Sequence, residues 1–185
     1  KTMTRALITG FEPFGPNPVN PTQALVELLQ TKYSGRGLEA QLLPVTFTGA
    51  RGRIQALIEA KRPQIVLSCG LYAAARQLHV ERIAVNEQEG QDNSGFSPTR
   101  SAVDHADADG LFATINTAAL LGKLKNAGFD AAISWHAGTY VCNTTLYSAI
   151  QATKTYGAKA GFLHVPTDVD VPKLAATLAA WVEEN

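Results

Sequence analysis

The sequence predicts an α/β fold in which helices flank both faces of a mostly parallel central sheet, giving a three-layer sandwich. Short apolar segments alternate along the chain with longer segments whose apolar residues recur at helical spacing. Some short segments, such as residues 6–8 and 65–67, are apolar at every position, which is typical of strands buried on both faces. We detect no repeat or linker, and therefore expect residues 1–185 to form a single domain.

The first half of the chain predicts three strands and two helices. The sequence Asn-Pro-Thr-Gln at residues 20–23 has the residue types of a helix N-cap, a first helical position and a capping box. A loop with three prolines, residues 11–18, separates this helix from the first strand. The predicted elements are strands at residues 6–8, 42–47 and 65–67, a helix that begins after Asn20 and a helix capped by Thr48.

The second half interrupts this alternation before resuming it. Residues 78–85 predict a pair of extended segments, and the polar residues 86–109 are long for a structureless loop. Such a run indicates a functional loop or an excursion with structure of its own. The later predicted elements are helices at residues 117–127 and 140–153, strands at residues 131–133 and 161–165, and a last helix capped by Asp170. Since ligands of such folds bind beyond the carboxyl ends of the strands, we look for a site there.

The composition argues against several classes of function. Lysine plus arginine equals aspartate plus glutamate at 16 each, so nothing suggests a nucleic-acid partner or an acidic membrane surface. No apolar run is long enough to span a membrane, and residues 1–5 lack the apolar stretch of a signal peptide. Cys69 and Cys142 do not have metal-site spacing, and Cys69 lies in an apolar run. We therefore expect a cytoplasmic protein without a metal or a membrane partner.

The most distinctive stretch, residues 131–153, contains no Lys, Arg, Asp or Glu. An apolar strand leads into a small-residue turn at Ala137 and Gly138, and Cys142 falls in the first turn of the helix that follows. Free N–H groups and the helix dipole at that position favour a thiolate over a thiol. The alternative interpretation is an inert buried cysteine, and this stretch alone does not decide between the two.

His164 and Glu81 are the candidate partners of this cysteine. A nucleophilic cysteine requires a base within hydrogen-bond reach and a group that orients the imidazole. His164 lies near the end of the next apolar strand, although a lone histidine also occurs as a core residue bonded to a backbone carbonyl. Glu81 is the only acid in residues 78–85, where a carboxylate is costly unless paired. Its alternative is a solvated charge on an edge strand, offset by Arg82.

Two phenylalanines, Phe11 and Phe14, flank the carboxyl end of the first strand. Aromatic side chains on a loop stiffened by proline can hold a flat ring, or they can pack into the core. The same segment, residues 9–15, lacks the Lys-Ser/Thr pair of a phosphate-binding loop. Binding of a nucleotide or phosphate is therefore a poor interpretation.

Four motifs resemble those of the type I pyroglutamyl peptidases, a family of cysteine peptidases also called pyrrolidone-carboxylate peptidases. The resemblance covers residues 7–166, and the motifs occur in the family's order. They are Leu-Ile-Thr-Gly-Phe-Glu-Pro-Phe-Gly at residues 7–15 with Val-Asn-Pro at 19–21, Glu-Arg-Ile-Ala-Val-Asn at 81–86 with Asp-Asn at 92–93, Ala-Gly-Thr-Tyr-Val-Cys-Asn at 137–143, and Gly-Phe-Leu-His-Val-Pro at 161–166.

The resemblance implies a cysteine exopeptidase, a single catalytic domain that removes N-terminal pyroglutamate from peptides without a cofactor. In this family Cys142 would be the nucleophile, His164 the base and then the acid, and Glu81 the carboxylate that orients the imidazole. Phe11 and Phe14 would pack on the lactam ring of the substrate. Because some bacterial relatives form tetramers, the resemblance also implies a homo-oligomer.

Two further positions complete the expected substrate-binding set. Asn20 belongs to the N-terminal motif, and Leu71 replaces a glutamine of the family's Gly-Gln-Ala-Gly-Gly-Arg sequence. The segment before Asp92 is also shorter than usual and lacks an arginine that the family has there. These departures concern the substrate rather than the nucleophile. They leave two alternatives open, a divergent member that acts on another amide and a catalytically silent homologue that only binds pyroglutamyl ligands.

Overall fold

The computed structural model describes residues 4–185. Residues 1–3, part of the N-terminal segment in which the sequence shows no signal peptide, lie outside the described range. Its strands are β1 (Ala6–Phe11), β2 (Leu38–Leu43), β3 (Ile65–Leu71), β4 (Leu78–Glu81), β5 (Ile83–Val85), β6 (Gly110–Phe112), β7 (Ala131–Ser134) and β8 (Lys159–Val165). Its helices are α1 (Pro21–Lys32), α2 (Phe47–Lys61), α3 (Thr117–Asn126), α4 (Val141–Lys154) and α5 (Val171–Glu184).

The central sheet has six strands in the order β2-β1-β3-β8-β4-β7. Its neighbouring strands are parallel, except that β4 runs antiparallel to β8. Helices α1, α3 and α5 contribute apolar residues to the core on one face of the sheet, and α2 and α4 to the core on the other. The predicted α/β sandwich of three layers is therefore confirmed.

The helix caps follow the local sequence where short-range hydrogen bonds decide the boundary. Asn20 Oδ1 accepts the N–H of Thr22 at 3.1 Å, and Pro21 occupies the first helical position of α1. Asp170 Oδ1 likewise accepts the N–H of Lys173 at 3.0 Å at the start of α5. Both predicted helix starts are confirmed.

The prediction for the second strand was wrong. β2 begins at Leu38 and overlaps the predicted range, residues 42–47, only at residues 42 and 43; α2 is capped by Thr46 instead of Thr48. β2 is an edge strand in which polar and apolar residues mix, so its apolar signal is weak. Val45 and Phe47, which suggested a strand, are buried because they pack against the core beneath α2 and α4.

The predicted extended pair at residues 78–85 divides between two sheets. β4 enters the central sheet between β8 and β7, whereas β5 leaves it and pairs with β6 in a separate antiparallel sheet. The polar residues 86–109 connect β5 to β6 and have structure of their own. Within them, the 5% exposed Asp92 accepts the N–H of Phe47 at 2.9 Å, which fastens this excursion to the start of α2.

Within residues 4–185, neither a membrane-spanning helix nor a metal-binding cluster of side chains occurs. Of the helices described above, none is both long enough and apolar enough to cross a membrane. Within the same range, no three His, Cys, Asp or Glu side chains are grouped so that they could hold a metal ion.

Candidate active site

A cavity of about 590 Å³ opens beyond the carboxyl ends of β3 and β8. Its walls include Glu81, Cys142 and His164, the three residues that the sequence analysis assigned to catalysis. They come from β4, α4 and β8, so the fold brings together residues that are far apart in the chain. The cavity lies at the edge of the sheet where parallel α/β folds bind ligands.

Cys142 lies in the first turn of α4. Gly138, with a φ of 83°, takes the left-handed conformation that glycine adopts freely and turns the chain toward this helix. The N-cap residue Tyr140 makes no side-chain hydrogen bond to the helix, which leaves N–H groups of the first turn available to an anion. The thiol lies over the bare backbone of β3, because a Cβ atom at Gly70 would come within 2.7 Å of the sulfur.

His164 connects this cysteine to Glu81. Its Nδ1 lies 2.8 Å from Glu81 Oε1, and the two residues are only 7% and 1% exposed. Burial by itself disfavours the charged imidazole, but the negative charge and hydrogen bond of Cys142, followed by the hydrogen bond and charge of Glu81, outweigh it and raise the pKa of His164 to about 9. The site therefore holds the imidazolium form at neutral pH.

Glu81 is buried because β4 pairs antiparallel with β8. In that register Glu81 lies opposite Phe162, deeper in the sheet than His164. Its second oxygen, Oε2, is buried and has no hydrogen-bond partner within residues 4–185. An unsatisfied buried oxygen destabilises a fold by about 1–3 kcal/mol. The alternative of a solvated edge-strand charge is excluded by this burial.

Aromatic side chains form another wall of the cavity. The rings of Phe14 and Tyr140 both line it, with centroids 6.0 Å apart. Tyr140 also packs edge-on against Phe47 at 5.5 Å, and its hydroxyl donates to the carbonyl oxygen of Gln91 at 2.8 Å. The ring of Tyr140 is therefore fixed from two sides. Tyr140 was predicted only as a helix start, and its closeness in the chain to Cys142 was the available signal of a place in the wall.

Comparisons with known proteins agree with this geometry. A family model described as pyroglutamyl peptidase matches residues 4–177. The chain belongs to the pyroglutamyl peptidase family. A pyrrolidone-carboxylate peptidase of Thermococcus onnurineus is 38% identical over 166 residues, which cover 88% of this chain and 83% of that protein. A pyrrolidone-carboxylate peptidase of Pseudomonas fluorescens is 32% identical, and the alignment covers 97% of this chain and 93% of that protein. The solved pyrrolidone carboxyl peptidase of Thermococcus litoralis superposes with a TM-score of 0.86 at 31% identity. The superposition covers 97% of this chain and 93% of that one.

In this member of the pyroglutamyl peptidase family, Phe11 and Asn20 do not line the cavity, contrary to the prediction that they contact the substrate. Phe11 is 2% exposed, belongs to the core beneath α2 and α4, and donates its N–H to Thr22 Oγ1 at 2.9 Å. Asn20 is also 2% exposed, and its Nδ2 donates to the carbonyl oxygen of Glu12 at 3.1 Å. Both residues hold in place the loop that carries Phe14, which does line the cavity.

Leu71 lines the cavity and is 4% exposed. The next residue, Tyr72, directly follows the carboxyl end of β3, and no specific role was predicted for it from the sequence. Its ring centroid lies 5.9 Å from that of His164 and 5.7 Å from that of His79, and it is 46% exposed. A residue directly after the carboxyl end of a central strand is a candidate for such a site by position alone.

Proposed function

We propose that this protein is a cysteine-type omega peptidase that removes N-terminal pyroglutamate from peptides, with residues 1–185 as its single catalytic domain. Cys142 is the nucleophile, and Glu81 is the carboxylate that orients the imidazole of His164. His164 first takes the proton of the Cys142 thiol as a base and then gives it to the leaving nitrogen as an acid. The observation that carries the proposal is the buried 2.8 Å contact between His164 and Glu81, with Cys142 lining the same cavity as this pair. Family membership supplies the substrate class.

The first chemical step forms an acyl-enzyme. The Cys142 thiolate attacks the pyroglutamyl carbonyl carbon, a C–S bond forms, and negative charge develops on the carbonyl oxygen. The uncapped N–H groups of α4 stabilise that charge. His164 then transfers its proton to the departing nitrogen, the C–N bond breaks, and the shortened peptide leaves as an amine.

In the second step water hydrolyses the thioester, and His164 acts as a base instead of an acid. His164, now neutral, takes a proton from a water molecule as its oxygen attacks the thioester carbon. The C–S bond breaks, pyroglutamate leaves, and Cys142 returns as the thiolate beside the imidazolium. Glu81 stays in contact with Nδ1 throughout, which keeps Nε2 facing the nucleophile and compensates the positive charge in both steps.

The cavity fits a lactam better than a free N-terminus. A pyroglutamyl ring has no ammonium group, and the one carboxylate in the wall, Glu81, is already bonded to His164. Phe14 and Tyr140 are too close to accept a ring between them, since two contacts of about 3.5 Å each require a gap of about 7 Å. The lactam therefore packs against the cavity side of this aromatic pair.

A chromogenic pyroglutamyl anilide tests the proposal. We expect wild-type protein to release the anilide and Cys142→Ala to release none. The matched control is Cys69→Ala, which removes the other cysteine from a fully buried position and should retain activity. Release at the same rate by wild type and Cys142→Ala would overturn the nucleophile assignment.

Alkylation distinguishes an active enzyme from a silent homologue that only binds pyroglutamyl ligands. Iodoacetamide at neutral pH should modify Cys142 rapidly and abolish turnover, because its partner is the imidazolium of His164. Cys69 should stay unmodified, since burial first and the charge of Cys142 second raise its pKa to about 12. A Cys142 that resists alkylation would favour the silent homologue.

Leu71 supports a second candidate function, a hydrolase for a related amide. An apolar side chain at this place in the wall offers no hydrogen bond to the substrate, where the resemblance implies a glutamine. Rapid alkylation of Cys142 without turnover of the pyroglutamyl anilide would favour this candidate. Screening other five-membered cyclic N-acyl anilides would then identify the accepted ring.

We also propose a cytoplasmic location and a homo-oligomeric state, both by similarity to the family. The two free cysteines are consistent with a reducing compartment. Size-exclusion chromatography with light scattering decides the oligomeric state, and a mass of one chain would overturn that part of the proposal.

A further inference from the structure

A second cavity adjoins the first on the side of β4. Its volume is about 370 Å³, within the range of ligand pockets. Tyr72 and Ala74 line both cavities, so the two are adjacent. The far walls of the second cavity include His79, Arg76 and Asp130.

The register of the sheet places these groups in a row. Gly70 of β3, which lies beneath the Cys142 sulfur, is paired with His164 of β8, and His164 is paired with His79 of β4. Two strand spacings, about 10 Å, separate the ends of this row. The ring of Tyr72 contacts both imidazoles edge-on and presents the rest of its surface to solvent. At about 3.3 Å per residue, an extended peptide of about three residues covers that distance.

The chemistry fixes which end of the substrate lies along this row. His164 must reach the leaving nitrogen to protonate it, so that nitrogen lies on the β8 side of Cys142. The aromatic wall that meets the lactam lies on the opposite side, because Phe14 follows β1 and β1 is the other neighbour of β3. The peptide after the pyroglutamyl residue is thereby directed over Tyr72 toward His79.

We propose that the second cavity binds the leaving peptide, and that Tyr72 is a specificity-determining residue that receives a flat, apolar side chain directly after pyroglutamate. This inference rests on the proposed function. An exposed tyrosine ring favours aromatic partners because stacked rings attract each other beyond the area that they bury. Tyr72 acts on the choice of substrate, while the reacting atoms remain with Cys142 and His164.

Paired substrates test the role of Tyr72. We compare kcat/KM for pyroglutamyl-phenylalanine amide and pyroglutamyl-alanine amide in wild type, Tyr72→Ala and Tyr72→Phe. Wild type should prefer the phenylalanine substrate, and Tyr72→Ala should reduce this preference about three- to tenfold, mainly through KM. Tyr72→Phe should retain the preference. Phe112→Ala is the matched control, since Phe112 is an exposed aromatic of β6 outside both walls.

A variant that fills the second cavity tests the cavity itself. Ala75 lines only the second cavity, so Ala75→Trp should lower kcat/KM for a pyroglutamyl tripeptide amide and spare pyroglutamyl-alanine amide. An equal loss on both substrates in Tyr72→Ala would overturn the inference, because Tyr72 would then act only as a support for His164. An unchanged preference of Tyr72→Ala for the phenylalanine substrate would also overturn the inference. The proposed function would still stand in that case, provided that turnover depends on Cys142. Absence of turnover by wild type would overturn both.

Discussion

Replacing Glu81 by glutamine separates the chemical role of the carboxylate from its structural role. Glutamine has the same shape and keeps a hydrogen-bonding oxygen beside His164, but it removes the negative charge that lies 2.8 Å from Nδ1. A hydrogen bond to a charged group contributes about 1.5–3 kcal/mol, and one between neutral groups about 0.5–1.5 kcal/mol. The imidazolium therefore loses about 1.5 kcal/mol of stabilisation, and we expect kcat/KM at neutral pH to fall about tenfold or more.

The pH profile gives a second, independent measurement of the same change. In wild type the proton donor His164 has a pKa raised to about 9, so turnover should decline as pH rises through about 9. Loss of the Glu81 charge lowers that pKa, because the charged form of the imidazole is less favoured. The alkaline limb of Glu81→Gln should therefore lie about one pH unit below that of wild type.

Stability should respond differently from activity. Oε2 of Glu81 is buried without a partner within residues 4–185, so a neutral amide removes part of an existing penalty while it weakens the contact with His164. We expect a thermal midpoint within about 4 °C of wild type. Glu183→Gln, on an exposed pair with Arg36, is the matched control and should change neither quantity. Wild-type kcat/KM with an unmoved alkaline limb in Glu81→Gln would refute the orienting role.

Three further substitutions test other parts of the site. Gly70→Ala should inactivate the enzyme, because the new Cβ would lie 2.7 Å from the Cys142 sulfur and displace it; an anilide assay that finds full activity would contradict this packing. Asp92→Asn should lower the free energy of unfolding in urea by about 1–3 kcal/mol, because a carboxylate that accepts the first N–H of α2 becomes a partial donor; an unchanged midpoint would count against the anchor. Leu71→Gln should raise kcat/KM for the pyroglutamyl anilide about tenfold by restoring a polar group to the wall, and no gain would show that Leu71 does not limit turnover.

The predictions that succeeded rest on short-range interactions. The caps at Asn20 and Asp170 and the position of Cys142 in the first turn of α4 depend on residues within a few positions of one another. The second strand was misplaced because burial by distant helices, rather than strand pairing, explains why Val45 and Phe47 are apolar. A periodic pattern records that a residue is buried, but it does not record which element covers it.

The site shows the same division between local and distant causes. Phe11 and Phe14 look equivalent in the sequence, yet the structure buries the first in the core and places the second in the cavity wall. The positions of Tyr72 and Tyr140 beside a strand end and the cysteine turn suggest nearness to the site, but only the structure shows that their rings face His164 and Phe14. Such contacts join elements that meet only when the sheet is assembled.

The sequence by itself determined the candidates for the reactive groups and the helix start at Cys142, because both depend on residue type and local backbone. Only the tertiary structure decided that β4 runs antiparallel to β8, which lowers Glu81 beneath His164 and removes its carboxylate from water. It also decided that Gly70 lies under the sulfur. Strand order and direction follow from packing among distant segments, and no spacing within one segment encodes them.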